Sequence, residues 1–486
     1  MFASTQHSHN QKIKVEPPKK NDFDGTWYHF KKDSSSHRIS CPELNCHMQR
    51  KNVLLWSIVI ALGGFLFGFD TAVISGAERS IQQYWNLGTF QHGFTVSIAL
   101  IGTVIGALLG AIPADRLGRK KTLYGIAILY LVSSLGTALA GSWPLFLIFR
   151  FLGGFGVGAS SVTAPIYISE ISPAAGRGKL VGLFQFNVVF GIVVSYLSNY
   201  LIGRTGDHSW RLMLGIQAIP SALFLCLLPF VPESPRWLIM KKGKVREARN
   251  IMVLINPDTA DQVIGDIVQT SKEEKVIGES LFSPRFRTPV MLAMLFAIFN
   301  QVSGINAIIY YAPRIFDMTG LGAGSSLLST AGLGAVNFVF TLLAMNFIDR
   351  IGRRTLMLIG SFGLIITLAL VSYSFYSANF RAVPVFLFVY IAFFAFSQGA
   401  VIWVFISEIF PNQVRAKGQT LGSTTHWVMA AIIAFTFPYL AEKVGGGNTF
   451  LFFCLMMFIQ LLFVWKIMPE TKGRSLEQIE HILVLH

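Results

Sequence analysis

The 486-residue chain has few charged side chains for its length. Charged residues make up 13% of the chain and hydrophobic residues 52%, whereas about a quarter of the residues of an ordinary soluble domain are charged. This shortage argues against a conventional water-soluble fold for most of the chain. The composition instead predicts a protein that lies largely within a lipid bilayer.

The chain also has few cysteines and lacks the common signatures of catalytic sites. Of its four cysteines, we expect Cys226 and Cys454 to pack as small apolar groups within apolar windows. Cys41 and Cys46 precede His47 in a polar segment, with a spacing too loose to predict a zinc site. The sequence contains no Walker loop, no HExxH motif and no Ser-His-Asp set outside the apolar windows. We therefore predict that the chain is not an enzyme and uses no cofactor.

Long apolar runs dominate what is present. A helix needs roughly 20 residues to cross a bilayer, and the sequence offers twelve such windows, predicting an all-α membrane protein with twelve transmembrane helices. Glycines four residues apart, at Gly102, Gly106 and Gly110, predict close helix packing in lipid. The windows cover residues of about 53–76, 92–114, 121–140, 143–169, 179–201, 211–231, 288–313, 322–347, 355–377, 382–408, 416–440 and 448–468.

Two charged motifs each occur twice between these windows. The string DRLGRK at 115–120 recurs as DRIGRR at 349–354, and SEI at 169–171 recurs as SEI at 407–409. The duplication predicts two pseudo-symmetric six-helix bundles, a common plan of secondary transporters.

The repeated motifs also predict a cytoplasmic gate. Charges on adjoining helix ends can pair when one side of a transporter is shut and separate when it opens. The alternative is that these charges serve membrane topology and insertion only. The predicted gate residues are Asp115, Arg116, Arg119, Glu170 and Arg177 in one half, and Asp349, Arg350, Arg353, Glu408 and Arg415 in the other.

The net charge of +15 is unevenly distributed. Lys and Arg cluster in the loops on one side, whereas the opposite loops hold scattered cations such as Arg79, Arg204 and Arg314. This bias is typical of cytoplasmic loops. It predicts a multi-pass protein of the cell membrane with both termini in the cytoplasm, and it explains the charge without a nucleic-acid partner.

The composition also predicts where the segments begin and end. Residues 1–47 are polar, with no apolar periodicity, and predict a disordered tail; translation from Met48 is an alternative. The block at 233–287 is too small for an independent domain, and its apolar spacing predicts amphipathic cytoplasmic helices. The predicted bundles are 48–232 and 288–470, followed by a cytoplasmic tail at 471–486.

Asp70 lies deep within the first apolar window. A carboxylate at that depth costs at least ~2.5 kcal/mol and indicates a functional site. Burial favours its neutral form, whereas a nearby cation favours the ionised form. Arg150 is the plausible intramembrane cation of this half, so we predict an ion pair that opens when Asp70 is protonated. A fixed structural ion pair is the alternative.

Several longer strings resemble the sugar porter branch of the major facilitator superfamily. They are GGFLFGFDTAVISGA, DRLGRK, RFLGGFGVG, PESPRW, QVSGINAIIYYAP, DRIGRR, SEIFPNQVR and PETKG, in the family's order between about Met48 and Leu476. The nearest likeness is to bacterial xylose–proton and hexose–proton symporters. The resemblance implies the major facilitator fold, a monomeric state, and a substrate held between two bundles and exposed alternately to each side.

The resemblance also implies a function. Symporters of this family carry Asp at the position of Asp70, whereas facilitators usually carry Asn, so we expect import of a monosaccharide such as xylose, glucose or galactose with a proton. Xylose symporters carry a second acid where this chain has Gln217, so any relay that needs it is missing here. A passive sugar uniporter and a non-transporting sugar sensor remain as alternatives.

Sugar recognition requires amide and hydroxyl groups together with an aromatic face. The seventh window supplies Asn300, Gln301, Asn306 and Tyr310, but an ideal helix would point Gln301 away from Asn306. Either the helix breaks near Ser303 or the site surrounds it. By resemblance, the sugar-contacting positions are Gln185, Gln301, Asn306, Asn337 and Trp403, with Gly399 leaving room beside Trp403.

Two positions depart from the family pattern. Asn300 replaces a longer Gln, and His426, which precedes Trp427, replaces an amide. The histidine could replace that amide or tune the pH dependence, or act as a neutral hydrogen-bonding group. Amides in membrane helices also hold helices together, which is the alternative interpretation for each of these residues.

Overall fold

The structure is a computed structural model, and it describes residues 43–173, 177–206, 208–273, 280–411, 414–474, 478–479 and 483. Twelve helical spans in this part of the chain are long and apolar enough to cross a membrane. The predicted all-α membrane fold with twelve transmembrane helices is confirmed. Most of the predicted N-terminal tail, residues 1–42, lies outside the described residues.

The first half forms six of these spans. The sixth span, Ser209–Phe230, contains two helices and a short 3₁₀ turn. The helices are α1 (Glu43–Tyr84), α2 (Thr89–Leu109), α3 (Ala111–Leu117), α4 (Arg119–Leu139), α5 (Trp143–Ile171), α6 (Arg177–Ile202), α7 (Ser209–Gly215) and α8 (Ala218–Leu227).

Three short helices follow in the segment that joins the halves: α9 (Pro235–Lys242), α10 (Val245–Ile255) and α11 (Ala260–Glu273). Ser234 caps α9, its hydroxyl accepting a hydrogen bond from the backbone N–H of Trp237 at 3.2 Å. Trp237, Ala248 and Met252 are buried in the apolar core of the first half. The segment therefore packs on the first bundle through one apolar face.

The second half repeats the six-span arrangement. Two spans of this half, the seventh and the tenth of the chain, are each broken into two helices. The helices are α12 (Arg287–Val302), α13 (Ile305–Met318), α14 (Ala323–Ile351), α15 (Arg353–Tyr376), α16 (Val383–Phe396), α17 (Gln398–Glu408), α18 (Arg415–Tyr439) and α19 (Gly446–Lys466).

Two helices extend further than the sequence indicated. α1 begins at Glu43, so residues 43–47 are helical rather than part of an irregular tail, and it continues to Tyr84. α13 continues past Arg314 to Met318. Near their C-terminal ends, both helices pass charged residues that the apolar windows excluded, and these residues pair with one another, Glu78 with Arg314 and Arg79 with Asp317.

The glycine stripe on α2 packs closely against α5, as the sequence predicts. A Cβ atom added at Gly102 or Gly106 would lie 2.3 Å or 2.1 Å from a backbone carbonyl oxygen of α5. In the opposite direction, a Cβ atom at Gly154 of α5 would lie 1.8 Å from the carbonyl oxygen of Ala99. The two backbones are in direct contact, as small residues permit in membrane proteins.

The two ends of the bundle differ in charge. We call the end that carries the repeated charged motifs and α9–α11 the basic end, and the opposite one the far end. At the far end, described residues of the two halves make polar contacts with one another. Arg79 pairs there with Asp317, Arg314 with Glu78, and Thr89 with Glu442. The far end of the bundle is therefore closed.

Candidate functional site

The break in the seventh span brings its amides together. Gly304 adopts a φ of 87° between α12 and α13, a conformation that favours glycine. Beyond this break, the Asn306 amide donates a hydrogen bond to Gln301 Oε1 at 2.5 Å. Gln301 Nε2 in turn donates to Asn300 Oδ1 at 2.8 Å. Of the two alternatives drawn from the sequence, the broken helix is the one observed.

An aromatic wall lies beside these amides. The ring nitrogens of His426 lie 3.1 and 3.2 Å from Gln301 Nε2. The His426 ring is 4.9 Å from that of Trp403 and 4.8 Å from that of Trp427. Phe67 of the first half contacts Trp427 with ring centroids 5.5 Å apart. We call Asn300, Gln301, Asn306, His426, Trp403 and Trp427 the amide–aromatic cluster.

His426 faces a hydrogen-bond donor. An amide N–H can only donate, so the imidazole nitrogen opposite Gln301 accepts. A neutral imidazole fits this position, where the side chain is buried and 8% exposed. The choice between a neutral hydrogen-bonding role and a pH-tuning role for His426 stays a prediction.

Three other residues predicted to form the sugar site, Gln185, Asn337 and Gly399, lie on α6, α14 and α17. Gln185 on α6 and Asn337 on α14 are partly exposed, and the hydrogen bonds described for the cluster do not include them. Gly399 lies on α17 one turn before Trp403. A methyl group added there would first meet Phe394, at 3.4 Å, so the side chain nearest to Gly399 is Phe394 rather than Trp403.

Asp70 and Arg150 form the predicted ion pair. Arg150 Nη1 lies 3.0 Å from Asp70 Oδ1, and the two side chains are 2% and 3% exposed. The other terminal nitrogen of Arg150 has no hydrogen-bond partner among the described residues. Removing the Asp70 charge would therefore leave a poorly compensated buried cation, an arrangement that strongly favours a change in conformation.

Tyr310 connects this ion pair to the amide–aromatic cluster. It lies on α13, one turn beyond Asn306, and is 2% exposed. Its phenol is close enough to Arg150 and Asp70 to interact with them electrostatically, and α13 packs against α1, the helix that carries Asp70. Helix α13 thus contacts both the ion pair and the amides.

At the basic end, Arg119 holds the repeated motif of the first half together. Its guanidinium makes two 3.0 Å hydrogen bonds to the Glu170 carboxylate and a third of 3.0 Å to Asp115. The Glu233 carboxylate accepts from the backbone N–H groups of Arg119 and Lys120 at the start of α4. A carboxylate at a helix N-terminus stabilises it by neutralising the helix dipole.

The second half repeats this network. Arg353 lies 2.8 Å from Glu408 and 2.9 Å from Asp349. Glu470 accepts from the backbone N–H groups of Arg353 and Arg354 at 2.9 and 3.0 Å. Sequence reasoning missed Glu233 and Glu470, although PESPRW and PETKG place an acid directly after a proline in both halves.

Four other predicted gate residues are Arg116, Arg177, Arg350 and Arg415. Arg116, Arg177 and Arg350 are exposed at the basic end. Arg415 Nε donates to the carbonyl oxygen of Phe410 at 3.3 Å. In the described part of the chain, the motif ion pairs join helices within each half. The predicted opening and closing of a gate therefore stays a prediction.

Sequence reasoning also missed a cluster of ionisable side chains at the far end. Arg314 was expected in a loop, but it lies within α13 and contacts Glu78 of α1. His92 of α2 lies against the same carboxylate. The three residues are distant in sequence, and only the packing of α1, α2 and α13 brings them together.

Comparisons with known proteins agree with this architecture. The family described as sugar (and other) transporter matches residues 56–483. The D-xylose-proton symporter of Escherichia coli (strain K12) is 36% identical over 477 residues, covering 90% of this chain and 97% of that protein. The arabinose-proton symporter of Bacillus subtilis (strain 168) is 37% identical over 442 residues, covering 89% of this chain and 95% of that protein.

A solved structure gives the same result for the fold. The xylose transporter XylE from Escherichia coli, in a partially occluded inward-open conformation, aligns with a TM-score of 0.77 at 34% identity. The alignment covers 87% of this chain and all of that chain. The chain is therefore a multi-pass membrane protein that belongs to the sugar transporter family.

Proposed function

We propose that the protein imports a monosaccharide together with a proton by alternating access. The observation that carries this proposal is the buried Asp70–Arg150 pair, which Tyr310 joins to the helix that bears Asn306. The names of the relatives support it, because they include proton symporters for xylose and arabinose. Proton and sugar would therefore act on one helix, α13.

The basic end of the bundle would face the cytoplasm. Its loops carry most of the Lys and Arg side chains, and such loops remain on the cytoplasmic side of the membrane. The far end would then face the outside. Because the far end is closed, this conformation corresponds to a transporter shut towards the outside.

The coupling step would be protonation of Asp70. An ionised Asp70 holds Arg150, which fixes α1 against α5. A proton on Asp70 removes the attraction and releases Arg150, and Tyr310 transmits the change to α13. Asn306 moves with α13, so the hydrogen-bonding groups for the sugar would rearrange when the proton binds.

The amide–aromatic cluster would hold the sugar. Amides offer both donors and acceptors to hydroxyl groups, and the indoles of Trp403 and Trp427 offer flat apolar faces to ring C–H groups. Gln185 and Asn337 on the neighbouring helices are partly exposed and would complete the site. Arg119–Glu170 and Arg353–Glu408 would hold the cytoplasmic helix ends within each half while the halves move.

Replacing Gln301 by Ala should weaken sugar binding by about tenfold or more. Gln301 lies at the centre of the cluster, and leaving a buried polar partner unsatisfied costs about 1–3 kcal/mol. The dissociation constants for xylose and glucose can be measured by calorimetry on the purified protein. Gln83→Ala, at an exposed position on α1, is the matched control and should bind as wild type does. Equal affinities for the two variants would contradict the assignment.

Uptake into proteoliposomes tests the proposed function. Radiolabelled xylose and glucose are offered with and without an inward proton gradient. We expect accumulation above equilibrium for one of them only when the gradient is present. Equilibration without accumulation would instead indicate a passive uniporter, and binding without flux would indicate a sensor.

A further inference from the structure

A second cluster of ionisable side chains lies at the far end, separate from the Asp70–Arg150 pair. It consists of Glu78 on α1, His92 on α2 and Arg314 on α13, which we call the far-end triad. His92 Nε2 lies 2.7 Å from Glu78 Oε2, and the two side chains are 0% and 1% exposed. Arg314 Nη2 lies 3.1 Å from the same oxygen. Glu78 is eight residues beyond Asp70, roughly 12 Å along the helix.

The polar and charged side chains around the triad interact with other partners. Gln82 accepts a hydrogen bond from Arg314 at 2.6 Å, and Arg79 pairs with Asp317. The Tyr311 ring lies 5.9 Å from the His92 ring, and its hydroxyl donates to the carbonyl oxygen of Ala434 on α18. Glu442, which follows α18, contacts Thr89 at the start of α2 and pairs with Lys443. Among the described residues, the acidic side chain that lies against His92 is Glu78.

Two cationic groups compete for the Glu78 carboxylate. Arg314 is always charged, so in the closed state it neutralises Glu78 without help from His92. Both ring nitrogens of His92 are buried and have no hydrogen-bond partner among the described residues, although Nε2 lies close to Glu78 Oε2. A neutral His92 is therefore sufficient when the far end is closed.

The triad spans the boundary between the two halves. Glu78 and His92 belong to the first half, whereas Arg314 belongs to the second. Opening the far end must draw Arg314 away and leave Glu78 with His92 alone. A buried carboxylate that loses its cation is strongly destabilised. Histidine is the side chain that can supply a replacement charge near neutral pH by taking up a proton.

We propose that His92 and Glu78 form a second proton-binding site, which takes up a proton from outside when Arg314 withdraws and releases it when Arg314 returns. The charge balances in both states, with Glu78 and Arg314 opposed when the far end is closed and Glu78 and His92 opposed when it is open. External acidity then favours the outward-open state. The outward direction rests on the orientation in the proposed function, but the pH-dependent opening does not require sugar transport.

Distance measurements across the far end test this site. Spin labels are placed at Gln83 and Ser325, exposed positions on the two halves, in protein whose native cysteines are replaced. The protein is reconstituted in lipid nanodiscs without sugar, and the distance distribution is recorded at about pH 5.5 and pH 8, on either side of the usual histidine range. In the otherwise unmodified chain we expect the long-distance population to increase on acidification.

Substitutions then identify the responsible group. His92→Gln and Glu78→Gln should each lose the pH response, and Arg314→Gln should open the far end at both pH values. His208→Gln, a matched change at an exposed histidine of the same end, should keep the response. Asp70→Asn should also keep it while losing proton-driven accumulation, which separates this site from the proposed function.

Several outcomes would overturn the proposal. A closed far end at both pH values in the unmodified chain would do so, as would a normal response in His92→Gln. Loss of the response in Asp70→Asn but not in His92→Gln would assign the effect to the other ion pair. Glu78→Gln tests the same site through its carboxylate. The proposal can therefore still be tested if His92→Gln alone fails to fold.

Discussion

Asp70→Asn will abolish sugar accumulation driven by a proton gradient and will leave sugar exchange across the membrane intact. The amide keeps the shape of the side chain and can still accept a hydrogen bond from Arg150, but it cannot bind and release a proton. One pH unit supplies about 1.4 kcal/mol per proton. At one proton per sugar this supports up to about tenfold accumulation, and we expect the variant to reach equilibrium only.

The comparison requires two measurements on the same vesicles. Net accumulation is followed with an inward proton gradient, and exchange is followed with equal pH and sugar on both sides. Asp258→Asn, the same change at an exposed position between α10 and α11, should retain both activities. If Asp70→Asn still accumulated sugar, the assignment of Asp70 as the proton carrier would be wrong.

Gly154→Val will prevent stable folding of the first bundle. A Cβ atom at Gly154 would lie 1.8 Å from the carbonyl oxygen of Ala99, so the substitution cannot be accommodated without separating α2 from α5. Overpacking of a well-packed interior costs about 3 kcal/mol in unfavourable cases, and here the obstacle is backbone. We expect loss of monodisperse protein after extraction, or a strongly lowered melting temperature.

A matched glycine on another helix provides the control. A Cβ atom at Gly125 of α4 would meet no atom within 4 Å. Gly125→Val should therefore yield protein that melts close to wild type. Equal stability of the two valine variants would show that the contact between α2 and α5 is looser than these distances imply.

The fold was predictable because a bilayer restricts the alternatives. Apolar windows of sufficient length fixed the number of membrane helices, and the repeated DRLGRK and DRIGRR motifs fixed the division into halves. The ends of α1 and α13 were placed too early. Glu78 and Arg314 reduce the local hydropathy, and only their pairing across helices makes the longer helices possible.

The ion pair of the site could be predicted and the far-end triad could not. Asp70 had a single plausible cation in its half, so Arg150 followed by elimination. Glu78, His92 and Arg314 lie in three different windows or at their edges, and nothing in their spacing links them. Their contact depends on which faces α1, α2 and α13 turn towards one another, which local sequence does not determine.

The arrangement of the amides in the seventh span could be predicted in part. Ideal helix geometry showed that Gln301 and Asn306 could not share a face, and Ser303-Gly304 was the plausible point for a break. The structure places the break there, with Gly304 at a φ of 87°. By contrast, the roles of Gln185 and Asn337 depend on a sugar that spans α6 and α14, so they stay predictions.

Sugar-induced proton movement tests the central claim most directly. Proteoliposomes in lightly buffered medium, with no imposed gradient, are mixed with xylose or glucose while the external pH is recorded. We predict that the medium becomes more alkaline as the sugar enters, and that Asp70→Asn takes up the same sugar without a pH change. Sugar entry into wild-type vesicles with no change in external pH would contradict proton-coupled transport and identify a passive carrier.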